Sequence, residues 1–450
     1  MTQRLKFLGL GLTTALLLSV FVMRQVIYSG ASPGIVPDEL TYMRQSFFGG
    51  GTGFGNYVFN DVFSITQSCN DSWYGCVRGL NSIFDIAFAL TVSLFVFLLS
   101  RNALFAFFLG TFAYLGGFIG YGGYFMPDSM MAAFIAFAFL FLSKATRVLG
   151  FETLLAGLSL GLAFAVKPHA LAVIVGIVAF GLLRVFSKDS EKKNIGLIWV
   201  SVAGWAVATR LIYGLLSVGF DSLNIFGSYA PSGLTGSTAG NEEPIGLSLV
   251  DLGQAAVSFG VNVSVVVFVV LVALTIANKS IRTTASYGHF QLSSIFVLSF
   301  GLLASLFGAY LEFFALEETM FRLLTRYWEF TIPLILASAA VISLEKTSSD
   351  AERAGFRERA AIITAIFTIS LSVTFIPRAQ TQADSSLFAP GNWTLLVVSV
   401  GVLVGQLLLR NASQRHLIGT MTAMVALGLS STYLIAEFQT SEKAGTALGL

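Results

Sequence analysis

Long apolar runs separated by short polar segments dominate this chain. The runs are roughly 17–25 residues long, the length that an α-helix needs to cross a hydrocarbon core about 30 Å thick. Their spacing predicts about thirteen membrane-spanning helices. The predicted spans lie near residues 7–27, 82–100, 103–122, 128–143, 153–166, 169–186, 195–216, 251–277, 290–311, 328–344, 360–376, 393–410 and 417–436.

The first apolar run, from Phe7 to about Ile27, follows Arg4 and Lys6. An apolar run after basic residues is also typical of a cleaved signal peptide, but this run is long and no convincing small-x-small cleavage site follows it. We therefore interpret it as an uncleaved first helix.

The composition indicates an integral membrane protein. Of the 450 residues, 55% are hydrophobic and 11% are charged, and the mean hydropathy is +0.79. Soluble domains are about a quarter charged. The net charge of +2 gives no support to a nucleic-acid-binding protein or to a polybasic membrane-surface protein. The predicted fold class is therefore all-α and polytopic.

The distribution of lysine and arginine predicts the orientation. With a cytoplasmic N-terminus, 17 of the 26 Lys and Arg residues fall in interior segments, as the positive-inside rule requires. The C-terminus is then exterior, and three exterior segments are long, at about 28–81, 217–250 and 377–392. We expect one transmembrane module over residues 1–440, with short amphipathic helices in its first exterior loop, and an exterior tail over 441–450.

The first exterior segment holds both cysteines of the chain, Cys69 and Cys76. In an oxidising compartment they could form a disulfide that closes a small ring, and the alternative is two unrelated thiols. The same segment contains "FGGGTGFGN", which has no Gly-Lys-Ser/Thr ending and follows no strand, so it is a turn-rich segment rather than a phosphate-binding loop. Elsewhere, "GLSLG" spaces two glycines four residues apart and predicts a close-packing face between helices.

A small set of polar residues lies at the exterior ends of the predicted spans. Ionisable groups at membrane depth are costly, and they usually line a polar cavity or pair with one another. The set comprises Asp38 and Glu39 after the first span, Asp128 at the start of the fourth, Lys167 and His169 between the fifth and sixth, Arg210 in the outer part of the seventh, and Arg322, Arg326 and Tyr327 before the tenth. Carboxylates from two loops and cations from three segments thus share one membrane face.

Each member of this set also has a purely structural interpretation. Lys167 and Arg326 could anchor helix ends at the membrane interface, and Asp128 could cap the fourth span. The acidic pair could cap a short amphipathic helix, and His169 could be a neutral packing residue. The functional interpretation is favoured because all these residues lie on one face.

Two carboxylates beside several cations suit the transfer of a group from a phosphate. A carboxylate near an acceptor hydroxyl can act as general base. Arg and Lys can hold and neutralise a phosphate leaving group, and a second carboxylate can bind a divalent cation or orient the acceptor. A lipid-phosphate donor would explain the many helices, whereas a water-soluble nucleotide would not need them.

Four passages resemble the GT-C-type glycosyltransferases that use polyprenyl-phosphate sugars, a group that includes bacterial aminoarabinose transferases and protein O-mannosyltransferases. "PDELTY" is similar to the acidic motif of the first exterior loop, and "MPDSMMAAFIAF" to the acidic residue of the second. "LLAGLSLGLAFAVKPHAL" resembles the Gly-rich helix that ends in Lys, and "TRYWEFTIPLIL" the Arg-Tyr start of a late helix. The order, spacing and sidedness of the four passages agree with the group over about residues 1–345.

The resemblance implies an inverting hexosyl or pentosyl transferase on the periplasmic face of a bacterial inner membrane. Asp38 would be the general base that activates the acceptor hydroxyl, Glu39 would support it, and Tyr42 would line the site. Asp128 would be the second catalytic carboxylate. The candidate ligands of the donor phosphate are Lys167, His169, Arg210, Arg322, Arg326 and Tyr327. A divalent cation is the one cofactor considered, with Asp38 and Asp128 as its candidate ligands.

This chain differs from some members of the group in two features. Many members continue into a soluble exterior domain, whereas this chain stops at Leu450. "LTY" also lacks the Arg that some aminoarabinose transferases carry between Glu and Tyr. The acceptor, whether lipid, glycan or protein, is therefore left open.

Two other functions are alternatives to a transferase. A lipid-linked sugar flippase or other transporter would favour two similar halves and mid-membrane helix breaks. This chain shows no halved symmetry, and the polar set singled out above gathers at one face. A polymerase or ligase of the O-antigen type would place arginines in a large late loop, whereas here the acidic residues come in the first loop.

Overall fold

The computed structural model describes residues 37–48, 55–100, 125–223 and 330–344, together with single positions at 18, 22, 106, 107, 109, 110, 113, 114, 294, 297, 298 and 301. Every regular element in these ranges is helical. The predicted spans near 7–27, 251–277, 360–376, 393–410 and 417–436 lie outside them, as do most of 103–122 and 290–311 and all of the third exterior segment.

Eight α-helices occupy the described ranges. They are α1 (Pro37–Phe48), α2 (Tyr57–Ser64), α3 (Trp73–Ser100), α4 (Asp128–Leu142), α5 (Phe151–Val166), α6 (Leu171–Val185), α7 (Ser190–Val218) and α8 (Thr331–Leu344). Short 3₁₀ helices at Ile65–Ser72, Pro168–Ala170 and Gly219–Leu223 connect or extend them.

Three continuous helical stretches in the described part of the chain are long and apolar enough to cross a membrane. They are Trp73–Ser100, Pro168–Val185 and Ser190–Leu223, and the shorter apolar helices α4 and α5 accompany them. These five elements coincide with five of the spans that the hydropathy pattern predicts. The described chain is therefore a helical membrane protein, as its composition indicates.

Local sequence explains three of the helix ends. Pro127 precedes α4 and Pro168 follows α5, and proline is tolerated at a helix start but disfavours helical backbone in the residue before it. Asp189 caps α7, since its carboxylate accepts hydrogen bonds from the backbone amides of Glu191 (3.0 Å) and Lys192 (3.4 Å). The bond from the Lys192 amide is the main cause that lowers the pKa of this carboxyl below its ordinary value.

Helix α3 begins earlier than the hydropathy pattern predicts. It starts at Trp73, inside the segment expected to be exterior loop, instead of at residue 82. Its first turns contain polar residues that lower the local hydropathy, yet Arg78 and Asn81 are buried inside the protein. Hydropathy windows measure apolarity and not helicity, so they miss a helix end whose polar side chains face protein.

Glycines let three of the long helices pack closely. A Cβ on Gly161 of α5 would lie 2.6 Å from the Ala206 carbonyl oxygen of α7, and one on Gly157 would lie 2.3 Å from the Trp205 Cβ. Helices α6 and α7 cross at a second glycine pair, since a Cβ on Gly196 would lie 2.7 Å from the Gly181 carbonyl oxygen. The close-packing face predicted from "GLSLG" is therefore confirmed.

An aromatic cluster ties the two short helices to the start of α4. The ring of Phe125 lies 5.5 Å from Phe47 of α1, 5.5 Å from Phe59 and 5.7 Å from Phe63 of α2, and 6.2 Å from Trp73 of α3, measured between centroids. Because Phe125 comes three residues before α4, this cluster places α1, α2 and the start of α3 around the N-terminus of α4.

The connection from α2 to α3 is closed by a disulfide bond. Cys69 and Cys76 are joined, with their Cα atoms 6.6 Å apart. The bond joins the 3₁₀ helix that follows α2 to the first turn of α3. It therefore fixes the end of α2 beside the membrane-spanning helix.

Candidate active site

Asp128 and Lys167 form a buried ion pair at the predicted exterior ends of α4 and α5. The Lys167 ammonium donates a hydrogen bond to the Asp128 Oδ1 across 2.7 Å, and the two side chains are 1% and 8% exposed. Removing two charges from water is costly unless they pair closely. The sequence places these residues 39 positions apart, and the fold brings them into contact.

The backbone around Lys167 follows from the proline after it. The residue before a proline is displaced from helical to extended geometry, and Lys167 has φ −152° and ψ 127°. Its amide still donates to the Ala163 carbonyl (3.0 Å), the last hydrogen bond of α5. The "VKPHA" sequence thus ends one helix, extends Lys167 out of it and begins the next with Pro168–Ala170.

The acidic pair occupies the first turn of α1. Pro37, Asp38 and Glu39 are its first three residues, and the side chains of Asp38 and Glu39 lie outside what the structure describes. One face of the helix is packed, since Tyr42 is 1% exposed and its ring contacts Phe59 at 5.7 Å. The Ser46 hydroxyl also donates to Asn60 Oδ1 of α2 across 3.1 Å. Contacts with α2 therefore fix the position of the helix that carries Asp38.

Arg210 is buried in the outer half of α7. It is 1% exposed, and its guanidinium carbon lies 4.4 Å from the ring centroid of Tyr57 and 5.5 Å from that of Phe164. Phe164 is three residues before Lys167, so Arg210 contacts the last turn of α5, the helix that ends at the ion pair.

Of the remaining predicted residues, the structure describes only His169. His169 follows Lys167 and is partly buried in the 3₁₀ helix Pro168–Ala170. Arg322, Arg326 and Tyr327 lie outside the described residues, just before α8. Within the ranges that the structure describes, no three His, Cys, Asp or Glu residues gather as a group that could hold a metal ion. The divalent cation therefore stays a prediction.

The sequence reasoning missed a polar face on α3. Arg78, Asn81, Ser82 and Asp85 are spaced as neighbours on one side of a helix, and all four are at most 8% exposed. The Arg78 guanidinium also lies 4.7 Å from the ring centroid of Tyr74. The signal was present in "RGLNSIFD", because ionisable residues inside a membrane helix are rare and usually face a bundle interior. Arg78 and Asn81 fall in the segment predicted as exterior loop, whereas Ser82 and Asp85 fall at the start of the predicted span 82–100, so the four did not stand out as one set.

No family model and no curated protein matches this chain. Among solved structures, the chain is similar to ArnT from Cupriavidus metallidurans bound to undecaprenyl phosphate, with 14% identity over 97% of this chain and 78% of that one and a TM-score of 0.49. It is also similar to the arabinosyltransferase EmbB from Mycobacterium smegmatis, with 11% identity over 97% of this chain, 41% of that one and a TM-score of 0.49. The chain thus spans less than half the length of EmbB.

Proposed function

We propose that this protein is a GT-C-type membrane glycosyltransferase that moves a sugar from a polyprenyl phosphate to an acceptor hydroxyl at the exterior face of the membrane. The observation that carries the proposal is the buried Asp128–Lys167 pair at the adjoining ends of α4 and α5. Charged residues are kept at membrane depth chiefly where they serve a polar site. The residues themselves, and not the similarity to solved structures, support the proposal.

The proposed reaction is a single in-line displacement at the anomeric carbon. Asp38 accepts the proton of the acceptor hydroxyl as that oxygen bonds to the anomeric carbon. The bond from this carbon to the phosphate oxygen breaks, and its electron pair leaves with the polyprenyl phosphate. One displacement inverts the anomeric configuration. Glu39 supports Asp38, and Tyr42 lines the site.

Asp128 and Lys167 have complementary roles in this scheme. The ammonium orients the Asp128 carboxylate, so that the carboxylate can accept a hydrogen bond from the acceptor or bind a divalent cation. The donor phosphate needs positive charge, and because Lys167 is paired with Asp128, the predicted ligands left to supply it are His169, Arg210, Arg322 and Arg326, with Tyr327 beside them. A low-dielectric site strengthens each of these contacts.

The proposal is tested with the purified full-length chain in liposomes that contain a radiolabelled polyprenyl-phosphate sugar and a cell-envelope extract as acceptor source. We expect the label to move from the lipid to an acceptor and polyprenyl phosphate to appear in equal amount. Movement of the intact donor across the bilayer, without cleavage, would contradict the proposal and support a flippase. The Lys167→Met variant should lose transfer, because Asp128 would lose its counter-ion.

A further inference from the structure

The turn between α6 and α7 gathers basic residues at the end of the bundle opposite the ion pair. The helical stretch Pro168–Val185 has 18 residues, and at 1.5 Å per residue it extends about 27 Å from Lys167. This length is close to the thickness of the hydrocarbon core, about 30 Å. The turn therefore lies where the phospholipid headgroups of the other leaflet begin. Its charged residues are Arg184, Lys188, Asp189, Glu191, Lys192 and Lys193.

Most of the positive charge of this turn is uncompensated in the part of the chain that the structure describes. The Lys192 Nζ lies 3.3 Å from the Asp189 Oδ2, and the other oxygen of this carboxylate caps α7. Within the described ranges, Arg184, Lys188 and Lys193 have no ion-pair partner. The turn thus presents an excess of positive charge to the headgroup region.

Packing fixes the position of Arg184. Its guanidinium carbon lies 5.1 Å from the ring centroid of Phe180, one turn earlier on α6, and that ring lies 5.1 Å from the ring of Trp199 on α7. A Cβ on Gly196 of α7 would lie 2.8 Å from the Arg184 Cβ. A ring against one face of a guanidinium leaves its N–H edges able to bind two oxygens of one phosphate. Arg184 is therefore oriented before any ligand arrives.

Hydrogen bonds order the backbone that follows Arg184. The Ser187 amide donates to the Arg184 carbonyl (3.0 Å), and the Asp189 amide donates to the Ser187 Oγ (3.3 Å). The Lys193 amide then donates to the Asp189 carbonyl (2.9 Å) at the start of α7. Lys188 lies within this ordered turn, so less conformational freedom is lost when a ligand binds there.

Large apolar side chains lie beside these cations without being buried. Leu183 is 67% exposed and Phe186 is 83% exposed, and they flank Arg184 along the chain. At a membrane boundary, exposed apolar side chains contact acyl chains, while neighbouring basic side chains reach the headgroups. A water-soluble acidic protein would match the charge of the turn but not its apolar residues. The combination fits an anionic phospholipid.

We propose that the α6–α7 turn is a binding site for an anionic phospholipid. Arg184 binds the phosphate in a bidentate manner, Lys188 adds a second positive charge, and Leu183 and Phe186 contact the acyl chains. Because Arg184 also packs on Gly196, the bound headgroup stabilises the crossing of α6 and α7. The lipid belongs to the leaflet opposite the candidate active site, and the proposal does not depend on the proposed function.

The test measures spin-labelled phosphatidylglycerol and spin-labelled phosphatidylcholine that are immobilised by the full-length chain in phosphatidylcholine bilayers. The wild type should bind phosphatidylglycerol in preference to phosphatidylcholine. Arg184→Gln should lower this preference about two- to fivefold, the range expected for one basic residue at a membrane surface. Arg184→Lys should give a smaller loss, because an ammonium retains the charge but not the bidentate geometry. Phosphatidylglycerol should also raise the thermal unfolding midpoint of the wild type more than that of Arg184→Gln.

Two variants serve as matched controls. Arg44→Gln removes an exposed arginine of α1, at the end of the bundle that carries the candidate site, and should change the preference less than Arg184→Gln does. Lys193→Gln removes an exposed cation of the same turn that no aromatic ring orients. It should also have the smaller effect, because the site is centred on Arg184.

Three results would overturn the lipid site. The first is equal lipid preference in the wild type, Arg184→Gln and Arg184→Lys. The second is an equal loss of preference in Arg184→Gln and Lys193→Gln, which would show diffuse attraction by the whole turn. The third is displacement of the labelled lipid by polyglutamate at physiological salt, which would indicate a water-soluble acidic partner. Glycerol phosphate, the headgroup without acyl chains, should not displace the lipid.

Discussion

At the residue scale, the Asp128–Lys167 pair determines what each of its members can do. Asp128 and Lys167 come from different helices, and the hydrogen bond of 2.7 Å between them is buried. A lysine that is paired in this way has less charge to offer a phosphate than a free one. A carboxylate that accepts a hydrogen bond from an ammonium is held in a fixed direction. The pair therefore favours a positioned Asp128 over a phosphate-binding Lys167.

This pairing predicts a non-additive effect of charge removal. Lys167→Met and Asp128→Asn should each lower the free energy of unfolding by about 3–5 kcal/mol, because each leaves one buried charge unpaired. The double variant removes both charges and should recover most of that loss. Thermal or denaturant unfolding in detergent measures the free energy of unfolding of the purified wild type and of the three variants.

The double variant also separates stability from activity. It should fold nearly as well as the wild type but transfer no sugar, because Asp128 is then neutral. Additive losses of stability in the double variant would contradict the pairing. Sugar transfer at the wild-type rate in the double variant would contradict a catalytic role for Asp128.

At the element scale, α2 connects the two halves of the candidate site. It contacts α1 through Asn60, which accepts from Ser46 (3.1 Å), and α7 through Asp61, which accepts from Tyr213 (2.6 Å). Helix α1 carries the acidic pair, and α7 carries Arg210. A helix of only eight residues is marginal by itself, so its position depends on these contacts, on the aromatic cluster and on the disulfide bond.

The close packing of α5 on α7 gives the prediction at this scale. Gly161→Ala would place a Cβ 2.5 Å from the Thr209 Cβ and 2.6 Å from the Ala206 carbonyl oxygen, so the helices must separate. We expect a loss of about 1–3 kcal/mol of unfolding free energy and a lower unfolding midpoint. Lys167 at the end of α5 would also shift, and sugar transfer should fall.

Gly204→Ala is the matched control for this variant. Gly204 lies on α7, the helix against which Gly161 of α5 packs, and a Cβ there would meet no atom within 4 Å. The substitution should be neutral or stabilising by about 0.5–1 kcal/mol, since alanine is the better helix former. An equal loss of unfolding free energy in both alanine variants would show that close packing at Gly161 does not cause the loss.

At the scale of the whole molecule, the sequence predicted the elements whose ends carry a proline or a cap. Helix α4 begins at Asp128, where it was expected, and α5 covers Phe151–Val166 against a predicted 153–166. Pro127 lies directly before α4 and Pro168 follows the end of α5, so both ends could be located from the sequence. The start of α3 was misplaced because polar residues that face protein resemble residues of a loop in a hydropathy window.

The contacts within the site could not be predicted from the sequence, for a different reason. The pattern placed Asp128, Lys167 and Arg210 at one membrane face, because helix direction and length determine that face. Which groups meet depends on how helices rotate and cross, and glycines such as Gly161 control this in three dimensions. The ion pair and the rings around Arg210 therefore appear only in the folded chain.

The most direct test of the central claim is the rate of sugar transfer by Asp38→Asn against that of the wild type. The amide keeps the size of the side chain but cannot accept the acceptor's proton, so the rate should fall about 100-fold or more. Asp189→Asn is the control, since Asp189 caps α7 far along the chain from the site and asparagine also caps helices. Its rate should match the wild type. Transfer by Asp38→Asn at the wild-type rate would contradict the account.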